Sequence, residues 1–329
     1  LRMTNPDLIG RNLLRSGLKS YSRYTQPDAS ATSKANITLS EALETYLAQK
    51  GSNKGKTFHA AAQRACVYLV EASGAKDLAD YSRTDALKYR DYLIAKGMAG
   101  SSVSRVISSI RAVMNFAISE YALDLKNPFV GMYHDRLAGV SKRLPIPIED
   151  IRKVQQQCLS LDDDLRWLVA LVSDTGIRLA EVSGLLKTDI ILDEDIPFIR
   201  VQPHPWRKLK TAGSERDVPL VGVSLWAAQR LLDAYPDSGY AFPRYNKTTI
   251  TNANSASAAL NKWLHPYVPN GCTMHSFRHS MRDRLRAVEC PADVVDQIGG
   301  WTTGGVGQGY GSGYGLEVCD RWMKKMEEK

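Results

Sequence analysis

From Thr38 onward, apolar residues recur at the spacing of an α-helix. One face of the first predicted helix carries Leu39, Ala42, Leu43, Tyr46 and Leu47. Thr38 or Ser40 precedes this face as a capping residue. Further helices are predicted near residues 59–73, 84–96 and 101–120, because glycine-containing breaks separate these periodic stretches. The pattern therefore predicts a compact domain of about four helices over residues 37–134.

The second half of the chain mixes helical periods with short strands. A helix start at Ile148 is followed by an apolar stretch that Thr175 and Gly176 interrupt, after which a new helix is expected. Short strands are predicted at Ile190–Leu192, Phe198–Val201 and Arg216–Val221. Residues 316–329 form an amphipathic tail helix. We predict a mainly α fold with a small antiparallel β-sheet in the second domain, residues 148–329.

Two stretches lack a clear hydrophobic period. Residues 1–36 contain 6 basic and 2 acidic residues and many Ser and Thr, which predicts a basic, flexible segment. Either contact with DNA or a solvated terminus explains that composition. Residues 135–147 are basic and proline-containing, which is typical of an interdomain linker. No period of 20 to 50 residues repeats, so a solenoid is not expected.

Charge and cysteine content narrow the choice of partners. The net charge is +8, of which residues 1–134 carry +7. We therefore assign sequence-independent binding of phosphate groups to the N-terminal half. The 5 cysteines are scattered without C-x-x-C pairs, which argues against a zinc site and favours reduced, cytoplasmic thiols. No apolar run reaches the length of a membrane span, and no secretory signal is recognisable. We expect a cytoplasmic, nucleoid-associated protein.

Four short stretches in the second half contain groups suited to phosphate chemistry. They are Thr175–Glu181, Lys210-Thr211 before Arg216–Leu220, His275–His279, and Trp301 followed nine residues later by Tyr310. Attack on a DNA phosphodiester needs a nucleophile, cations for the non-bridging oxygens and a proton for the leaving oxygen. These stretches supply all of them without a metal or another cofactor.

Arg178 and Arg278 are the candidate phosphate ligands, because a guanidinium donates two parallel hydrogen bonds and stays charged. Glu181 lies three residues after Arg178 on one helical face and is placed to orient it. His275 has the same spacing to Arg278, so one helix start presents both to a single phosphate. A surface arginine and a structural histidine are the alternatives. We expect the neighbouring His279 to be such a structural histidine, buried against the helix.

The order of these motifs resembles the tyrosine recombinase (phage integrase) family, whose pattern reads Arg, Lys, His-x-x-Arg, His or Trp, then Tyr. The resemblance covers roughly residues 37–329 and implies a two-domain DNA clamp. It implies a catalytic set of Arg178, Lys210, His275, Arg278, Trp301 and Tyr310. Lys210 is preferred to Lys208 and Arg207 because it matches the hairpin of the family. Tyr310 is preferred to Tyr314 because of its interval from Trp301.

Candidate DNA contacts lie outside these motifs. The helix predicted from residue 101 begins with polar and basic side chains suited to phosphates: Ser101, Ser104, Arg105 and Arg111. A polar helix face is the alternative. In the linker, Arg136, Lys142 and Arg143 are candidate phosphate contacts by extension from the resemblance, because such a linker crosses a groove of the duplex.

The resemblance implies site-specific recombination of a phage or mobile element. A homotetramer on double-stranded DNA would cleave through a 3′-phosphotyrosine and exchange strands through a Holliday junction, with an accessory bending or directionality factor as a further partner. Type IB topoisomerase activity and a non-catalytic architectural role are the alternatives. Many larger members carry an N-terminal arm-binding domain, for which about 36 residues are too few. Either that domain is lacking, or the sequence was trimmed.

Overall fold

The computed structural model describes residues 36–247, 249–301 and 313–329. The chain divides between Ser141 and Lys142 into two compact units. The predicted domain ranges of 37–134, 135–147 and 148–329 remain a proposal. None of the helices in the described ranges is both long and apolar enough to cross a membrane.

The first unit is helical. Its helices are α1 (Leu39–Lys50), α2 (Lys56–Ser73), α3 (Arg83–Ala95) and α4 (Gly100–Glu120). A capping box starts α1, since the Thr38 hydroxyl accepts from the Glu41 backbone N–H at 3.2 Å and Glu41 accepts from that of Thr38 at 2.8 Å. Thr38, not Ser40, is therefore the cap. The core of this unit is built around Leu69, Tyr89 and Ile110.

Residues after the last helix of the first unit fold back onto the start of α4. The Gly100 backbone N–H donates to the Ala138 carbonyl at 2.7 Å. A side chain at position 100 would place its Cβ 2.0 Å from the carbonyl oxygen of Asp135. Only glycine allows this approach, so the first part of the predicted linker is fixed to its own unit.

The second unit combines eight helices in its described part with two small sheets. The helices are α5 (Ile148–Leu161), α6 (Asp164–Thr175), α7 (Leu179–Ser183), α8 (Gly222–Asp233), α9 (Ala253–Leu264), α10 (Ser276–Ala287), α11 (Ala292–Gly299) and α12 (Leu316–Glu328). Short 3₁₀ turns lie at Leu78–Asp80, Lys187–Asp189, Ala212–Ser214, Pro243–Tyr245 and His265–Tyr267 across the two units.

The larger sheet is antiparallel, in the order β1 (Ile190–Ile191), β2 (Phe198–Val201) and β3 (Arg216–Pro219). Phe198 pairs with Pro219 and Val201 with Arg216, so the connection that carries Lys210 joins β2 to β3. A separate hairpin pairs β4 (Asn246–Lys247) with β5 (Ile250–Thr251). The prediction of a mainly α fold with a small antiparallel sheet in the second half is confirmed.

The tail helix α12 packs into the core of its own unit. Cys319, Met323 and Met326 are buried in it. Arg152 donates to the Glu327 carbonyl at 2.6 Å and Arg284 to that of Met326 at 3.4 Å, so two side chains from other helices hold the end of α12. All five cysteines are free and buried.

Candidate active site

Arg178 lies at the break that the sequence places after α6. Gly176 ends that helix in the left-handed conformation, with φ of +59°, and a Cβ there would come within 2.7 Å of Met281. Helix α6 therefore ends here, and Arg178 becomes the residue that precedes α7. Its guanidinium donates to Glu181 at 2.6 Å, to Ser214 Oγ at 3.2 Å and to the Gly300 carbonyl at 2.9 Å.

Glu181 is a buried carboxylate shared by two arginines. Its Oε1 accepts from Arg178, and its Oε2 lies 3.3 Å from Nη2 of Arg216 on β3. Burial opposes the ionisation of Glu181, but the charge of Arg216 and the hydrogen bonds from Arg178 outweigh it. The pKa of Glu181 is therefore lowered. Burial also lowers the pKa of Arg216, against the attraction of Glu181.

His275 and Arg278 meet at the start of α10. Arg278 is buried and donates to the carbonyls of Gly176 and Gly299, the latter at 2.7 Å. Burial and the charges of Arg178 and Arg216 lower the pKa of Arg278, which still leaves the guanidinium charged near neutral pH. His275 is an exposed residue, yet partial burial of its ring and the charges of Arg143 and Arg278 lower its pKa to about 4. Its imidazole is therefore neutral near pH 7.

Three arginines converge on the C-terminal end of α11. Arg216 Nε donates to the Ile298 carbonyl at 2.8 Å, Arg278 to Gly299 at 2.7 Å and Arg178 to Gly300 at 2.9 Å. Carbonyl groups at this end of a helix lack partners within the helix and carry its partial negative charge. The end of α11 thus fixes the guanidinium groups relative to one another.

Trp301 follows directly and lies against two guanidinium groups. Its ring centroid is 4.8 Å from Cζ of both Arg278 and Arg282, which is cation–π geometry. Gly299 is required beside it, since a Cβ at that position would lie 2.0 Å from Cε3 of the ring. Trp301 therefore packs against Arg278, one member of the group formed by Arg178, Arg216 and Arg278. We call this group the arginine cluster.

Lys210 is exposed on the β2–β3 connection, as is Lys208. This connection is tied to the arginine cluster, because the Thr211 hydroxyl lies 2.9 Å from Ser214 Oγ, and that oxygen also accepts from Arg178. Arg207 is different, since its buried guanidinium donates to the backbone carbonyls of Glu181 and Gln202. Arg207 is thus occupied inside the protein.

The preferred nucleophile, Tyr310, lies outside the described residues. Its rival Tyr314 is held on α11, where the Gln297 side chain bonds both its backbone N–H and its carbonyl at 2.7 Å. The Tyr314 hydroxyl donates to Asp293 at 2.6 Å, and this hydrogen bond raises the pKa of Tyr314. Asp293 lies six residues before Gly299, about 9 Å along the helix axis from the arginine-bound end. This position argues against Tyr314 as the nucleophile.

A cleft of about 350 Å³ opens between α10 and α9. Arg178, His275, Arg278 and Arg143 line it together with polar residues of α9, among them Asn254 and Ser257. The candidate phosphate ligands and the candidate histidine therefore face one space. No group of three or more His, Cys, Asp or Glu suited to a metal ion occurs within the described ranges.

The candidate DNA contacts of the first unit lie along α4. Ser101, Arg105 and Arg111 are exposed. The Ser104 hydroxyl is occupied, because it donates to the Gly100 carbonyl at 2.9 Å and lies 2.6 Å from Nε2 of His134. In the linker, Arg136, Lys142 and Arg143 are exposed.

Two points differ from the sequence interpretation. His279 is exposed, not buried, because it points away from the core face of α10, with its ring 5.6 Å from that of His275. Arg216 was not among the candidates, although it completes the cluster around Glu181. A signal existed in the sequence, since Arg216 alternates with Val218 on the inward face of a predicted strand, where an arginine needs a partner.

Comparisons with known proteins identify the second unit. Residues 148–311 match the sequence profile of the phage integrase family. The Tn1549 transposon integrase, in complex with circular intermediate DNA, matches over 87% of this chain and 99% of its own, with a TM-score of 0.64 at 16% identity. A lambda integrase tetramer bound to a Holliday junction matches over 84% and 77%, with a TM-score of 0.63 at 13% identity. Comparison with curated protein sequences finds no match.

Proposed function

The chain belongs to the phage integrase family of tyrosine recombinases, and from that premise we propose that it integrates or excises a mobile element through a 3′-phosphotyrosine. One observation carries the proposal: Arg178 and Arg278 are both anchored on the end of α11 and face the same cleft as His275. Two guanidinium groups fixed in this way bind the non-bridging oxygens of one phosphate and neutralise charge that develops on them.

In the first step, the phenolic oxygen of Tyr310 attacks the scissile phosphorus, and the bond from phosphorus to the 5′ oxygen breaks. Positive charge in the cleft favours the ionised phenol. Lys210 gives a proton to the departing 5′ oxygen in this proposal. It is exposed on the β2–β3 connection, and its long, flexible ammonium side chain suits it to extend towards bound DNA. The neutral imidazole of His275 donates a hydrogen bond to a non-bridging oxygen. The ring of Trp301 packs against the Arg278 guanidinium and helps to hold it in position.

In the second step, the 5′ hydroxyl of a partner strand returns a proton to Lys210 and attacks the phosphotyrosine, and the bond from phosphorus to the Tyr310 oxygen breaks. One phosphoester bond replaces another in each step, so no ATP or other cofactor is consumed. Two rounds of exchange pass through a Holliday junction within a tetramer, in line with the tetrameric lambda integrase complex on such a junction. An accessory bending or directionality factor belongs to the same proposal.

The first unit, by this proposal, grips the duplex through phosphates. Its share of the net charge and the exposed Ser101, Arg105 and Arg111 on α4 support this role. Ser104 fits it less well, because its hydroxyl already has partners inside the unit. The protein acts where the DNA is, in the cytoplasm and on the nucleoid.

A strand-transfer assay tests this function. Duplexes enriched from a random pool by the wild-type protein supply the site, and two such duplexes of different length are incubated together. Recombinant strands of new length are expected, and Arg178→Gln should abolish them. Relaxation of supercoiled plasmid without recombinant strands would instead indicate topoisomerase activity, and stable binding without any cleavage would indicate an architectural role.

A further inference from the structure

Arg143 is brought to the cleft by an anchor that lies three residues after it. The backbone N–H of Ile146 donates to Ser280 Oγ at 2.7 Å, and that hydroxyl lies 3.0 Å from the Ile146 carbonyl. Ile146 itself is buried. Because Ser280 belongs to α10, this anchor ties the end of the linker to the helix that presents His275.

Among the described residues, the Arg143 guanidinium has no partner, unlike the guanidinium groups of the other arginines around the cleft. Arg178, Arg216 and Arg278 each donate to acceptors inside the protein. For Arg143, which is exposed, the described residues provide no hydrogen bond or ion pair. Yet Arg143 lines the same cleft as Arg178 and His275. Arg143 therefore adds a positive charge, not neutralised by a carboxylate, to a cleft that other arginines already line. Such a position favours the binding of an anionic ligand.

We propose that Arg143 contacts the substrate within the cleft, where it binds a phosphate oxygen of the cleaved strand beside His275 and acts in cleavage rather than in general DNA affinity. The proposal rests on the recombinase function above and adds a further arginine to its set. It separates Arg143 from the neighbouring Lys142 of the same unit, which does not line the cleft.

The neighbourhood of His275 agrees with this position. The charged and titratable groups that act on its ring are Arg143, Arg278, His279 and Arg178, and after partial burial the charge of Arg143 has the largest effect on the pKa of His275. Removal of the Arg143 charge should therefore let His275 take up a proton at higher pH.

The first arm of the test uses the DNA-free protein, so it does not depend on recombination. Histidine titration is followed by NMR in wild type, Arg143→Gln and Arg286→Gln, and His275→Gln assigns the signal. Arg286 is a matched control because it is an exposed arginine of α10, the helix that presents His275. It pairs with Asp283 at 3.5 Å. We expect His275 to titrate at higher pH in Arg143→Gln alone. An unchanged titration overturns the proposal.

The second arm measures formation of the covalent protein–DNA adduct at saturating DNA. We expect Arg143→Gln to lower the rate about 10- to 100-fold, Arg143→Lys to recover part of it, and Arg286→Gln to match wild type. A wild-type rate at saturation, with weaker binding alone, overturns the proposal. No adduct from any variant would instead refute the recombinase function, while the NMR arm still decides whether Arg143 lies beside His275.

Discussion

Nη2 of Arg216 lies 3.3 Å from Oε2 of Glu181, and each side chain is only 4% exposed. The same carboxylate accepts from Arg178 at 2.6 Å. One buried anion therefore holds two guanidinium groups, of which Arg178 also faces the cleft. The two guanidinium groups and the single carboxylate together carry a net positive charge, and a net positive charge favours the binding of a phosphate.

Replacement of Glu181 by Gln should destabilise the second unit. The change leaves the buried charge of Arg216 without a counterion, and loss of one partner of a buried ion pair costs about 3–5 kcal/mol. The free energy of unfolding in urea measures it. Asp217→Asn is the control, since its pair with Arg200 is 35% and 47% exposed and should contribute less than about 1 kcal/mol. Equal losses in both variants would contradict the role of Glu181.

The difference in stability between wild type and Glu181→Gln should depend on pH. Because the folded-state pKa of Glu181 is lowered, the unfolded state takes up the proton more readily. The stabilising effect of Glu181 is thus complete above about pH 5 and is lost as pH falls through the folded-state pKa. Urea unfolding across this range should show the difference shrinking in acid. A difference that grows in acid would mean a raised pKa.

Met323→Ala should destabilise the isolated chain, because α12 packs on its own unit. Met323 is fully buried, with 0% exposure, and truncation of a buried methionine costs about 2–5 kcal/mol. Unfolding at low protein concentration, where chains do not associate, measures this loss. Glu328→Ala at an exposed position of the same helix should be neutral. Equal stability of the two variants would contradict the packing of α12 on the core of its own unit in the monomer.

Lys210→Ala should slow cleavage by about 10²- to 10⁴-fold, the usual contribution of a general acid. The loss should be much smaller on a duplex with sulfur in place of the bridging 5′ oxygen, because a thiolate leaves without a proton. Single-turnover cleavage of both duplexes measures the two rates. Lys208→Ala, at another exposed position of the same connection, should behave as wild type. The same loss on both duplexes would remove Lys210 from proton transfer.

Elements with a long hydrophobic period were predictable from the sequence. The tail helix predicted at 316–329 runs from Leu316 to Glu328, because its apolar positions follow one face throughout. Strand ends were less predictable. The strand expected at Arg216–Val221 ends at Pro219, since its partner β2 begins at Phe198 and Val221 already precedes α8.

Side-chain partners across the fold were beyond sequence reasoning. The i, i+3 spacing of Arg178 and Glu181 predicted their contact. Arg216 binds the same carboxylate from a strand 35 residues later in the sequence, and no local spacing indicates that contact. The exposure of His279 depended on how α10 packs, which its neighbours in sequence do not fix. The contact of Trp301 with Arg278 likewise joins a loop to a helix.

Covalent trapping on a nicked suicide duplex tests the central claim most directly. Wild type, Tyr310→Phe and Tyr314→Phe are compared on a denaturing gel. We predict an adduct with wild type and Tyr314→Phe and none with Tyr310→Phe, because the Tyr314 hydroxyl is bound to Asp293 at the far end of α11. Loss with Tyr314→Phe alone would contradict the assignment of the nucleophile, and no adduct from wild type bound to that duplex would contradict phosphotyrosine chemistry.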